Sequence, residues 1–109
     1  MLFVKIRDYI ADGHVGEKNA ISSKELGKRV DCSDREIRDC INLLRQMGVP
    51  ICSSSKGYWY AADDFEIRQT MTRLRSWIKS MNIALDGLEK CLTTPETAEP
   101  DSLVELEVL

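Results

Sequence analysis

Residues 22–61, SSKELGKRVDCSDREIRDCINLLRQMGVPICSSSKGYWYA, decide the fold. Ser22 stands three residues before Glu25, and Ser33 three before Glu36. In such a pair the serine hydroxyl accepts a free backbone N–H of the first helical turn, and the glutamate reaches back to the serine's own N–H. Each pair therefore reads as a capping box at the start of a helix. Leu26 and Val30 give the first helix an apolar edge. Ile37, Cys40, Ile41 and Leu44 give the second a continuous stripe at i, i+3, i+4, i+7 that must be buried. Asp31-Cys32-Ser33 leaves room only for a turn between them. Gly48 supplies a left-handed C-cap to the second helix, and Pro50 follows it. Residues 49–53 and 57–61 then read as strands around a bend at Ser54-Ser55-Lys56-Gly57.

A helix, a tight turn, a longer helix and a hairpin make a helix-turn-helix with a wing. The stretch resembles winged-helix domains of the biotin-repressor type. The residues that carry the resemblance are Leu26, Gly27, Ser33, Ile37, Ile41, Leu44, Arg45, Gly48, Ile51 and Gly57-Tyr58, with residues 3–11 as the usual leading helix. It implies a mainly α fold with a small β-hairpin, and a surface that binds DNA or docks protein, since winged helices serve both ends.

Toward the N-terminus, Phe3, Ile6 and Ile10 lie along one face of a short amphipathic helix that closes a three-helix core. Residues 12–20 carry Gly13 and Gly16 and read as a loop, and Ala20-Ile21 suits a short third strand beside the hairpin. Tyr58, Trp59 and Tyr60 alternate sides of the last strand, so they cannot all be buried, and at least one ring should reach the surface.

Toward the C-terminus, Asp63, Asp64 and Glu66 favour the positive end of a new helix, and Asp63 with Glu66 again has capping-box spacing. Ile67, Met71, Leu74, Ile78, Met81, Leu85, Leu88 and Leu92 follow at alternating steps of four and three. This heptad puts Met71, Ile78, Leu85 and Leu92 at a, and Ile67, Leu74, Met81 and Leu88 at d, with Trp77 and Ala84 widening the stripe at g. The seam from Ile67 to Leu88 is the expected dimerisation surface of a homodimer. A fold-back onto Phe3 and Ile10 of the same chain is the alternative. The flanking positions lack the opposed charges that fix a parallel pair. Gly87 is a local weakness, and Thr93-Thr94-Pro95 stops the helix. The expected organisation is a winged helix-turn-helix over 1–62, a long amphipathic helix over 63–92 and an acidic flexible tail over 93–109.

The net charge of −3 speaks against a nucleic-acid partner until it is located. All fifteen Lys and Arg lie in residues 1–92 against thirteen acids, while the other five acids lie in 93–109 without a base. Residues 18–56 hold eight bases and five acids, a mild basic bias that suits modest DNA binding by a monomer. Cys32, Cys40, Cys52 and Cys91 form no C-x-x-C pair and His14 is the sole histidine, so neither metal nor cofactor is expected, and Cys40 on the helix stripe and Cys52 in a strand read as small core residues. No catalytic constellation is present, and the chain is not expected to be an enzyme. Lys5, Arg7 and Asp8 interrupt the first apolar residues, and no apolar run approaches the roughly 18 residues of a membrane span, so a cytoplasmic location without membrane contact is expected.

Double-stranded DNA is the preferred partner, with helix 33–47 in the major groove and wing 49–61 beside it. Around the buried stripe, Asp34, Arg35, Arg38, Asp39, Asn42 and Arg45 form the exposed set of that helix. Arg35 and Arg38 suit base edges, because arginine donates two hydrogen bonds to guanine. Lys24, Lys28, Arg29 and Lys56 suit phosphates, with Ser33 and Asn42 completing the surface. The competing reading makes these charges solvated helix faces with intrahelical pairs such as Arg35 and Asp39. A protein partner, met through the aromatic wing, the long helix or strand-like residues 103–109, is the alternative to DNA.

Overall fold

A computed structural model describes residues 1–94 of the chain; the tail beyond them, including the strand-like residues 103–109, lies outside the described residues. The order is α1 (Leu2–Gly13), a single 3₁₀ turn (Glu17–Asn19), α2 (Ser23–Val30), α3 (Asp34–Gln46), β1 (Ile51–Ser54), β2 (Gly57–Tyr60) and α4 (Asp64–Glu89). The architecture is mainly helical, with one antiparallel hairpin and a long C-terminal helix, as expected of a winged helix-turn-helix.

A first compact unit spans Met1–Leu74. Its core is built from the apolar stripes read above. Ile6 and Ile10 of α1, Leu26 and Val30 of α2, and Ile37, Ile41 and Leu44 of α3 are buried together with Ile21 and Ile51. Cys40, expected on the same stripe, is only half-buried at its margin.

Capping marks the helix starts, with one complete box and two half boxes. Ser33 Oγ accepts from Glu36 N at 3.1 Å while Glu36 Oε1 accepts from Ser33 N at 2.9 Å, the reciprocal pair. Ser22 Oγ accepts from Glu25 N, but the Glu25 carboxylate turns to Arg29 Nε at 2.8 Å instead of reaching back. Asp63 Oδ1 accepts from Glu66 N, and here too the glutamate is employed elsewhere. A free carboxylate takes the strongest donor in reach, and a guanidinium or a buried N–H outcompetes a solvated amide.

The turn between α2 and α3 is tight because α2 ends on Asp31 in the left-handed conformation, with Cys32 N donating to Gly27 O at 3.0 Å. A β-carbon on Gly27 would lie 2.9 Å from Cys32 O, so the turn closes over a residue without a side chain. At the far end of α3, Gly48 has φ +86°, its N–H donates to Arg45 O, and Val49 N donates to Leu44 O. That is the Schellman pattern that a glycine after a helix implies.

In the hairpin, Ile51 pairs with Tyr60, Cys52 with Trp59 and Ser54 with Gly57. The third strand is reduced to single bridges: Ile21 exchanges both backbone hydrogen bonds with Tyr58, and Val15 bridges Tyr60. Residues 17–19 coil into the 3₁₀ turn and leave Ile21 alone to pair. Trp59 is fully buried, whereas Tyr58 and Tyr60 are half-buried.

The outer edge of β1 is closed by side chains. Arg45 Nε donates to Ile51 O at 2.8 Å and its terminal nitrogen to Ser53 Oγ; Arg73 donates to Ser53 O at 2.8 Å, and Ser53 N donates to Thr70 Oγ1 at 3.4 Å. An open strand edge invites pairing with another chain, and these contacts from α3 and the first turns of α4 remove that invitation.

The first unit ends at Leu74, inside α4. Within it Thr70 is buried while Ile67 and Leu74 are half-buried. In the second unit every residue from 75 to 94 is exposed, including Trp77, Ile78, Met81, Leu85, Leu88 and Leu92. The helix closes at Glu89, three residues before the expected end, because Cys91 N and Leu92 N donate to carbonyls three residues back in a tightened last turn. No helix among the described residues is long and apolar enough to cross a membrane.

Candidate nucleic-acid interface

The outer face of α3 follows from its inner one. Ile37, Ile41 and Leu44 are buried, so Arg35, Arg38 and Asn42, at i, i+3 and i+7, share the opposite surface, and all three are exposed. Arg35 has no ion-pair partner among the described residues; the Arg35–Asp39 pair of the competing reading does not form. Arg38 instead lies 3.6 Å from Asp34, a loose pair between two exposed groups that gives way readily to a phosphate or a base.

Asp34 is the residue most hostile to DNA in this set, and its carboxylate is occupied. Ser23 Oγ donates to Asp34 Oδ1, tying the first turn of α2 to the first turn of α3. The acid therefore acts as a strut between the two helices and favours the positive end of α3. Around it a shallow cleft is lined by Lys24, Gly27, Lys28, Cys32, Ser33 and Asp34, which brings two lysines of α2 to the N-terminal end of α3. Lys24 and Lys28 are exposed and outside every ion pair among the described residues. Two of the expected phosphate ligands are committed to acids of their own: Arg29 to Glu25 at 2.8 Å, and Lys56 to Glu17 at 4.0 Å. The hydrogen bond to Glu25 raises the Arg29 pKa further. Ser33 spends its hydroxyl on the cap, while its backbone N–H, donating to the Glu36 carboxylate, is the main cause that lowers the Glu36 pKa.

One expectation is overturned. Arg45, placed in the exposed set by its helix position, folds back along β1 and is largely withdrawn from water; burial lowers its pKa. It flanks the outer face of α3 and finds two acceptors on the neighbouring strand, where a long side chain gains more than in solvent. Tyr58 was not expected at this surface. It comes from β2, its hydroxyl feels the charges of Arg45, Asp34 and Arg38, and burial raises its pKa. Strand alternation made Tyr58 a candidate for either side; it is half-buried and packs against the core cluster.

The largest ring of the wing does not reach the surface. The ring of Trp59 faces the interior, with its Nε1–H donating to Glu66 Oε1 at 3.0 Å. What the wing offers to solvent is its tip, Ser55 and Lys56, turned by Gly57 at φ +124°. A β-carbon at Gly57 would fall 2.2 Å from Ile21 O, so the tip depends on glycine. Among the described residues no cluster of three His, Cys, Asp or Glu is placed to hold a metal ion.

Residues 16–59 match the family model described as an HTH domain. The match runs through α2, the turn, α3 and the hairpin, and stops before α4. No curated protein and no solved structure matches the chain. The match supports a helix-turn-helix domain within the chain, and the surface built above lies on its second helix and the residues beside it.

Proposed function

We propose that the protein is a sequence-specific DNA-binding regulator, of the biotin-repressor type of winged helix, that acts as a homodimer. The observation that carries this reading is the stripe of Arg35, Arg38 and Asn42, exposed on the side of α3 opposite its buried face. A helix presented in this way enters the major groove by its N-terminal half, where Arg35 and Arg38 meet base edges and Asn42 follows one turn on. Lys24 and Lys28 hold phosphate beside the N-terminal end of α3, and Lys56 at the wing tip holds another once it leaves Glu17. The interface is non-enzymatic.

A single domain with this mild basic surplus binds weakly, so useful affinity calls for two domains on two half-sites. Support for pairing comes from residues 75–94, where six large apolar side chains of the heptad seam face water in the single chain. Ile67, Met71 and Leu74 extend the same seam into the first unit, although Ile67 and Leu74 already lose part of their surface there.

Selection from a random duplex pool, followed by anisotropy at several salt concentrations, tests the reading. An enriched motif with affinity falling steeply in salt is the expected outcome. Absence of both enrichment and low-salt binding would remove DNA as the partner and leave protein docking through the long helix.

A further inference from the structure

The apolar seam leaves the direction of pairing undetermined, since parallel and antiparallel pairs would both stack aliphatic side chains. The flanking positions do discriminate. With Ile78 and Leu85 at a, the e positions are Arg68, Arg75, Asn82 and Glu89, and the g positions of the exposed segment are Trp77, Ala84 and Cys91. A parallel pair sets each g beside the next e of its partner: Trp77 beside Asn82, and Ala84 beside Glu89. No charge finds an opposite. An antiparallel pair sets e beside e. Arg75 then faces Glu89 of the partner subunit, Glu89 faces the partner's Arg75, and Asn82 meets the partner's Asn82 at the two-fold axis. Arg75, Asn82 and Glu89 are exposed, and neither Arg75 nor Glu89 takes part in an ion pair within its own chain among the described residues.

The same register gives a consistent interior. Ile78 meets Leu88 of the partner subunit and Met81 meets the partner's Leu85, each layer occurring twice by symmetry, while Ala84 faces its own symmetry mate and lets the helices approach. A register one heptad longer would put Glu89 opposite Arg68 and draw Ile67 into the seam. Ile67 is half-buried in its own unit, beside the buried Thr70, so that alternative competes with the domain's packing. From this charge pattern we infer that the occupant of the exposed seam is a second copy of this chain, bound antiparallel over residues 75–92, with Arg75 and Glu89 as the pair that sets its direction.

This inference rests on the homodimer proposed above, and the test separates the two. Charge reversal at either position, R75E or E89R, places two like-charge contacts in each homodimer. Mixing the two full-length variants restores opposite charges at both ends of a heterodimer. Sedimentation equilibrium is expected to show each single variant dimerising about tenfold more weakly than wild type, and the equimolar mixture recovering wild-type affinity. Both positions are exposed, so helix content by circular dichroism should be unchanged. A wild-type chain that stays monomeric at tens of micromolar would overturn the dimer and the direction together. A wild-type dimer whose variants are not rescued by mixing would overturn the antiparallel direction alone. Rescue of E89R by R68E instead of R75E would overturn the register.

Discussion

Trp59 and Glu66 hold the wing to the start of α4. The indole N–H donates 3.0 Å to Glu66 Oε1, which also accepts from Ala62 N at 2.9 Å, while Oε2 accepts from Glu17 N at 3.0 Å. One carboxylate thus joins β2, the loop after it, the 3₁₀ turn and α4. Glu66→Ala would leave the N–H of a fully buried ring without an acceptor, at a cost of about 1–3 kcal/mol. Thermal unfolding should show Tm lowered by several degrees; an unchanged Tm would show that the indole finds another partner. Glu66→Gln should cost less, since its oxygen can keep Trp59 and Ala62 but its amide faces the Glu17 N–H as donor to donor.

The same carboxylate makes stability depend on pH. The Ala62 N–H foremost, with those of Glu17 and Trp59, holds the Glu66 pKa below its ordinary value against the opposing effect of burial. A depressed carboxyl pKa means that the unfolded chain takes up the proton first. The stabilisation is therefore complete above the ordinary glutamate pKa and is lost as pH falls through the folded-state value. Denaturant midpoints measured from neutral to acidic pH should fall more steeply for wild type than for Glu66→Gln. Parallel curves would exclude this linkage.

Arg45 and Arg35 should separate stability from binding. Arg45→Ala removes the hydrogen bonds to Ile51 O and Ser53 Oγ and exposes the edge of β1, and should lower the denaturant midpoint by an amount worth about 1–2 kcal/mol. Arg35→Ala should leave the midpoint within about 0.5 kcal/mol of wild type. It should relax preference at one base pair by roughly 1–3 kcal/mol in a duplex competition assay. The reverse pattern would place recognition at Arg45 and refute the assignment.

Lys28→Ala should weaken every duplex alike and reduce the slope of log K against log salt by about one. Anisotropy titrations at four salt concentrations would read this directly. A loss confined to one sequence would mean that Lys28 reads bases rather than phosphate.

Ile78→Glu or Leu85→Glu should give a folded monomer. Both residues are exposed in the single chain, at 59% and 54%, so the charge meets water when no partner is present. Light scattering should give half the wild-type mass with the melting transition of the winged domain retained. Leu74 is a poorer probe, because it is half-buried in the first unit and its substitution would mix unfolding with dissociation. Collapse of the transition in Leu85→Glu would show the seam packing within its own chain.

Much of this molecule was written in short-range patterns. Ser33 and Glu36 cap α3 across three residues, Gly48 ends it, and the stripe of Ile37, Ile41 and Leu44 orients it, which already places Arg35 and Arg38 on the outer face. Each of these depends on helical period and on backbone groups that the chain itself leaves unpaired, so spacing alone reveals them. The heptad of α4 was legible for the same reason. Spacing could not say which competing acceptor a side chain would choose. Glu66 and Asp63 have the spacing of a capping box, yet Glu66 answers to Trp59 beside it in space and to Glu17, 49 residues away in sequence. Arg45 reads as a solvent-facing helix residue until β1 arrives with two free acceptors. Trp59 and Tyr58 alternate by rule, but which of them faces the core depends on the bridge from Ile21, made across a loop whose course no local pattern dictates. Local caps and periods were determined by the sequence; the partners of Glu66, Arg45 and Tyr58 were decided only when folding brought distant donors and acceptors together out of water, where an unpaired polar group is costly.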